Sequence, residues 1–155
     1  MESTRAEGTN EITLDPGVEM THVLLVGADL ALLEGIAQTL AAQGHQPTVA
    51  RTLSEGREAA GANLPLVLVA DRTMVSGTGA ELLSVAIAAG GARLLYRGAS
   101  VPPAPLLPAL QRAVLADLTL PLERHRLSAL VQSISERARA TGRAERQTPT
   151  EGRAT

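Results

Sequence analysis

The sequence predicts an α/β domain in which a five-stranded parallel sheet, of strand order 2-1-3-4-5, is covered by helices on both faces. Three observations carry this. First, two runs, His22-Val23-Leu24-Leu25-Val26 and Leu66-Val67-Leu68-Val69-Ala70, are continuously apolar rather than alternating, as strands buried on both faces are. Second, the second run ends abruptly on one carboxylate, Asp71, and the first on Gly27-Ala28-Asp29. Third, strand-like and helix-like segments alternate five times along the chain, which is the pattern of a parallel sheet with helical crossovers.

Each element has its own grounds. Residues 1–20 mix Glu, Thr, Gly, Asn and Asp with few apolar positions and are expected to be a disordered leader, with Met20 an alternative start. After the first strand, Leu33, Ile36, Ala37 and Leu40 recur at helical spacing, Asp29 stands at the N-cap position, and Gly44 closes the helix. Gln46 to Ala50 is expected as an edge strand, which tolerates Pro47. A weak helix over 54–60, opened by Thr52 or Ser54, leads to the strand that ends at Asp71. A loop with Ser76, Gly77, Thr78 and Gly79 follows, and then a helix over 80–89 with Leu83, Ala86 and Ile87 inward, ended by Gly90-Gly91. Arg93 to Tyr96 is the fourth strand, stopped by Arg97-Gly98, and the prolines of Val101-Pro102-Pro103-Ala104-Pro105 make a stiff loop. Leu107, Leu110 and Val114 mark a helix with Pro108 in its first turn, and Asp117 to Leu120 is a short fifth strand stopped by Pro121. From Glu123 to about Ala140, Leu127, Leu130, Val131 and Ile134 give the strongest helical pattern, and residues 141–155 are polar enough to form a disordered tail. The domain thus spans 21–140, and its strand order is that of the flavodoxin-like fold.

Composition narrows the function. All fourteen basic residues are arginine, so no mechanism that needs a lysine amine is open to this chain. There is no cysteine, which excludes thiol nucleophiles, thiolate metal sites and disulfides and fits a cytoplasmic location. Tyr96 is the one aromatic residue and the net charge is −2, so neither the stacking platforms nor the basic footprint of a nucleic-acid binder is present. No apolar run is long enough to span a bilayer, and no signal-peptide pattern opens the chain. His22, His45 and His125 lie at a strand start, a turn and a helix opening, without ligand spacing. The Ser76–Gly79 loop lacks the lysine of a phosphate-binding P-loop. The C-terminal arginines are diluted by Glu123, Glu136 and Glu145 and read as a solvated helix face.

From about Thr21 to Ala140 the chain resembles the receiver domain of two-component response regulators. Val23-Leu24-Leu25-Val26-Gly27-Ala28-Asp29 falls where that family's first strand meets its acidic pair. Val67-Leu68-Val69-Ala70-Asp71, with Met74, Gly79 and Glu81-Leu82-Leu83, matches the phosphoacceptor strand and the loop after it. Asp117-Leu118-Thr119-Leu120-Pro121 falls where the family's fifth strand ends in Lys-Pro. The resemblance implies Asp71 at the phosphoacceptor position. It puts Gly27 and Ala28 at the acidic pair, Arg97 at the switch Thr/Ser and Leu120 at the lysine. Neither Gly27 nor Ala28 can ligate magnesium, which takes oxygen ligands, and Asp29 is one residue too late and better placed as a cap. Phosphoryl transfer rests on positioning and charge neutralisation, and here both the metal ligands and the lysine are missing. Asp71 is therefore expected to pair with Arg72 or Arg97, or to be held by backbone donors.

These losses imply a degenerate receiver, or pseudo-receiver: no enzyme, without metal or cofactor, signalling independently of phosphorylation through protein contacts. The resemblance implies a kinase or effector partner, or a second copy, on the face of helix 4, strand 5 and helix 5, around Pro105 to Leu130. Two further readings stay open: a working response regulator phosphorylated on Asp71 by a histidine kinase, and a small-ligand binder of flavodoxin-like fold using the gap at Gly27-Ala28.

Overall fold

The computed structural model describes residues 20–75, 80–101 and 107–154. The expected leader, but for Met20, and the loops at 76–79 and 102–106 lie outside them. Five parallel strands, β1 (His22–Val26), β2 (Gln46–Ala50), β3 (Val67–Asp71), β4 (Ala92–Gly98) and β5 (Val114–Leu120), form one sheet of order β2-β1-β3-β4-β5. That is the expected order, with β2 and β5 at the edges. Among the described residues five α-helices accompany them: α1 (Leu30–Ala42), α2 (Leu53–Ala62), α3 (Ala80–Leu83), α4 (Pro108–Ala113) and α5 (Arg124–Ala154).

The continuous apolar runs of β1 and β3 are explained by cover on both sides. Val23, Leu25, Val67 and Val69 face Leu33, Ile36 and Leu40 of α1 and Leu127, Val131 and Ile134 of α5. Leu24, Val26, Leu68 and Ala70 face Leu53 and Ala60 of α2, Leu82 of α3 and Leu110 of α4. Successive strand side chains point to opposite faces, so each run has to be apolar at every position.

Local signals set most boundaries. Asp29 caps α1, its Oδ1 accepting from the Leu32 N–H at 3.2 Å. Gly44, at φ 93°, supplies the left-handed turn into β2 that a side chain would strain. Thr52 caps α2, accepting from Glu55 N–H at 3.0 Å, while Glu55 reaches back to Arg51 N–H at 2.8 Å. Pro108 opens α4 in its first turn, and the Leu120–Pro121 peptide is cis.

Three segments differ from expectation. α3 stops at Leu83 instead of Ala89. The Ser84 hydroxyl donates to Glu81 O at 2.7 Å, and Arg93 Nη2 donates to Val85 O at 2.9 Å, so side chains take carbonyls that a longer helix would have used. Leu82 and Val85 are buried in place of Leu83 and Ala86, which are exposed, while Ile87 packs partly buried against the core as expected. Val114 begins β5 instead of ending α4, because pairing with Arg93 of β4 satisfies its backbone. α5 continues past Ala140 to Ala154, through the segment read as a polar tail. No helix among the described residues is long and apolar enough to cross a membrane.

Candidate functional site

The carboxyl ends of β1, β3 and β4 bring Gly27, Asp71 and Tyr96 side by side. Val26 is in register with Ala70, and Asp71 with Tyr96. Alternation turns Asp71 and Tyr96 to the α1/α5 face, the face that Val69 and Leu94 also occupy. Asp71 is half-buried at the rim. Its Oδ1 accepts from both the N–H and the hydroxyl of Thr73, each at 2.9 Å. This is an Asx-type turn into the 3₁₀ turn Arg72–Val75, and it orients the carboxylate by backbone and hydroxyl donors.

Neither arginine expected to pair with Asp71 does so. The Arg72 guanidinium binds the Asp117 carboxylate of β5, and Arg97 Nη1 donates to Val101 O at 2.7 Å. The reason is direction. Arg72 and Arg97 each follow a residue of the Asp71 face, so both start toward the opposite face, where Leu95 and Asp117 are register partners.

Tyr96 is the site residue that sequence reasoning passed over. It is 2% exposed, and its phenol oxygen lies over Gly27: a Cβ placed on Gly27 would come within 2.0 Å of Oη. Leu33 Cδ1 closes the other side, 3.2 Å from the same point. The Gly27-Ala28 gap suggested by the sequence is therefore filled by the tyrosine, and Ala28 is exposed to solvent. The hydroxyl has no hydrogen-bond partner among the described residues. Burial pushes its pKa well above the usual phenol range, and the Asp71 and Asp29 charges push it further the same way, so the group is neutral at ordinary pH. The one signal in the sequence was that the lone aromatic residue falls near the carboxyl end of the strand expected after the one ending at Asp71.

The remaining positions are dispersed. Leu120 is 1% exposed and packs with Leu118 and Leu127 under α5, so that position belongs to the core. Arg97 is half-buried, held by the Val101 carbonyl. Asp29 serves the helix cap. The histidines stay apart: His22 Nε2 bonds Thr48 Oγ1 at 2.9 Å, His45 is buried near Gln132 and Arg139 of α5, and His125 is exposed. Among the described residues no three His, Asp or Glu side chains are grouped to hold a metal ion. Among those residues, then, the site presents one oriented carboxylate beside a neutral phenol, with the nearby Asp29 engaged as the α1 cap and no arginine paired with Asp71.

No protein-family model matches the chain, and no curated protein matches it. Solved structures do match. A CheY-like response regulator receiver domain protein from Methanospirillum hungatei superposes with a TM-score of 0.60 at 20% identity, covering 79% of this chain and 99% of that one. A CheY-like receiver domain from Methylobacillus flagellatus gives 0.60 at 16% identity, covering 75% and 99%. A receiver domain protein from Clostridium thermocellum gives 0.58 at 15% identity, covering 79% and 99%. At these identities the likeness is one of architecture, and it runs nearly the whole length of each of those domains. With its 2-1-3-4-5 sheet and an aspartate at the end of β3, this chain has the fold of the response regulator receiver domains.

Proposed function

We propose that this chain is a pseudo-receiver, a two-component signalling module that works by protein contact without being phosphorylated. The observation that carries the reading is the Tyr96 hydroxyl over Gly27. In receivers an acidic pair after the first strand helps bind the metal, and here the first of those positions is a glycine roofed by a buried phenol. A metal-binding carboxylate has no room there. Without the divalent ion, the charge that builds on a transferring phosphoryl group is unopposed, and that stabilisation is usually the largest catalytic contribution. Asp71 keeps its place as an oriented carboxylate tied to Thr73. Leu120 as a core residue and Arg97 tied to Val101 fit a domain that has given up both the lysine and the switch hydroxyl.

A cytoplasmic kinase or effector then acts on the face of α4, β5 and α5. Leu107, Leu115 and Leu122, which precede α4, open β5 and follow β5, are 50%, 50% and 73% exposed, so apolar side chains are available along this edge of the domain. The same face would serve a homodimer. No catalysis by the chain itself is part of this reading.

The test is exposure of the purified chain to acetyl phosphate and magnesium with intact-mass readout, beside an Asp71→Asn control. The reading expects no phosphoryl adduct. An adduct that disappears in the control would establish the rival reading, a response regulator phosphorylated on Asp71.

A further inference from the structure

The sheet edge opposite Asp71, where β4 and β5 begin, carries a cleft of about 510 Å³ between those strand starts, the end of α4 and α5. Three arginines line it, Arg93 of β4, Arg112 of α4 and Arg137 of α5, and no aspartate or glutamate does among the described residues. Its apolar wall comes from Val114, Leu115 and Ala138. The chain as a whole is acidic, at −2, so this is a local reversal of charge. Like charges gathered in a concave wall repel one another until an anion enters, and the concavity concentrates their field on whatever sits inside.

The arginines are not neutralised from within the described part of the protein. Among those residues none of the three is in an ion pair. Arg93 is fixed in place, its Nη2 donating to Val85 O at 2.9 Å and Leu83 O at 3.4 Å, while its Nε is buried without a partner there. Arg93 is thus anchored in the cleft wall by the carbonyls that follow α3, and two exposed arginines stand on separate elements across the cleft. Planar guanidinium forks match phosphate oxygens bidentately, which suits them to phosphate better than to a monovalent ion.

We infer that this cleft binds a multiply charged, phosphate-bearing small molecule, a diphosphate or larger. Its volume lies within the range of small-molecule sites, and three arginines without a carboxylate answer an anion of two or more charges. The absence of any aromatic residue from the described lining disfavours recognition by base stacking, so the phosphate groups carry the contact and the apolar wall receives the rest. The cleft stands apart from Asp71 and does not depend on the pseudo-receiver reading. A ligand there would touch α4, β5 and α5 together, and so would bias the face proposed for partners.

Calorimetric titration of the full chain with inorganic pyrophosphate tests this, run at about 0.15 M salt so that diffuse attraction is screened. Saturable one-to-one binding is expected, weakened at least about tenfold in the Arg112→Ala/Arg137→Ala variant and unchanged in Asp71→Asn. Both arginines are exposed and outside the core, so the variant should keep the wild-type melting temperature, and that is measured alongside. No saturable binding, or binding in the arginine variant within about twofold of wild type, would overturn the inference.

Discussion

Gly27→Ala adds one methyl group at the point where β1, α1 and β4 meet. The new Cβ would lie 2.0 Å from Tyr96 Oη, and 3.2 Å from both Tyr96 Cζ and Leu33 Cδ1. A carbon–oxygen contact needs well over ~3 Å, so the hydroxyl overlaps badly while the two carbons are merely tight. Tyr96 is 2% exposed, in the same buried cluster as Leu33, Leu118 and Leu120, so the phenol has little open space to move into. Overpacking of this kind costs about 1–3 kcal/mol, and we expect about 2 for this site. Tyr96→Phe removes the atom responsible. On its own it deletes a buried hydroxyl that has no partner among the described residues, so it should be neutral or mildly stabilising. In the Tyr96→Phe background, Gly27→Ala should then cost under about 1 kcal/mol, a coupling of about 1 kcal/mol or more. Urea denaturation of the four proteins in the cycle measures it, and a wild-type Gly27→Ala loss of this size corresponds to a fall in Tm of roughly 5–10 °C. Equal costs of Gly27→Ala in the two backgrounds would refute the placement of the tyrosine over Gly27. They would also remove the support that the buried phenol lends to the proposed pseudo-receiver.

Three other outcomes follow from the same structure. Arg72→Ala should cost about 1–2 kcal/mol by chemical denaturation, because it leaves the half-buried Asp117 unpaired, and Arg72→Met combined with Asp117→Leu should recover much of the loss. Thr52→Ala removes the α2 cap and should cost about 1 kcal/mol, measurable as a lower urea midpoint at unchanged slope. Burial lowers the pKa of His45, Arg139 lowers it further, and Gln132 pulls the other way. The unfolded chain, with a histidine pKa near ~6.5, therefore binds more protons than the folded one as pH falls below that value. Stability should decline on acidification through about pH 6.5 toward the lower folded pKa, and His45→Gln should flatten that part of the pH–stability curve.

Much of the fold could be read directly, for local reasons. Uninterrupted Val and Leu in β1 and β3 signalled strands covered on both faces, and the spacing of Leu33, Ile36 and Leu40 signalled one inward helix face. Caps at Asp29 and Thr52 and the turn at Gly44 depend on a residue and its near neighbours, so the sequence displays them. The alternation of strands and helices then left few ways to order the sheet. Where local signals met competition from distant groups, the reading gave way. Arg93 holds the carbonyls beyond α3 and shortens that helix, and strand pairing with β4 draws Val114 out of α4.

The amino-acid sequence determined that Asp71 ends a buried central strand and that neither a lysine nor an acidic pair accompanies it, since both are matters of composition and strand register. Only the tertiary structure decided what stands in their place. Gly27 and Tyr96 are far apart in the chain, and nothing near either one specifies that the phenol fills the space the glycine leaves. Likewise Arg72 sits next to Asp71 in sequence yet pairs with Asp117 two strands away, because successive side chains leave a strand on opposite faces. A carboxylate's partners are chosen by direction and packing in three dimensions, and those arise only when the sheet is assembled.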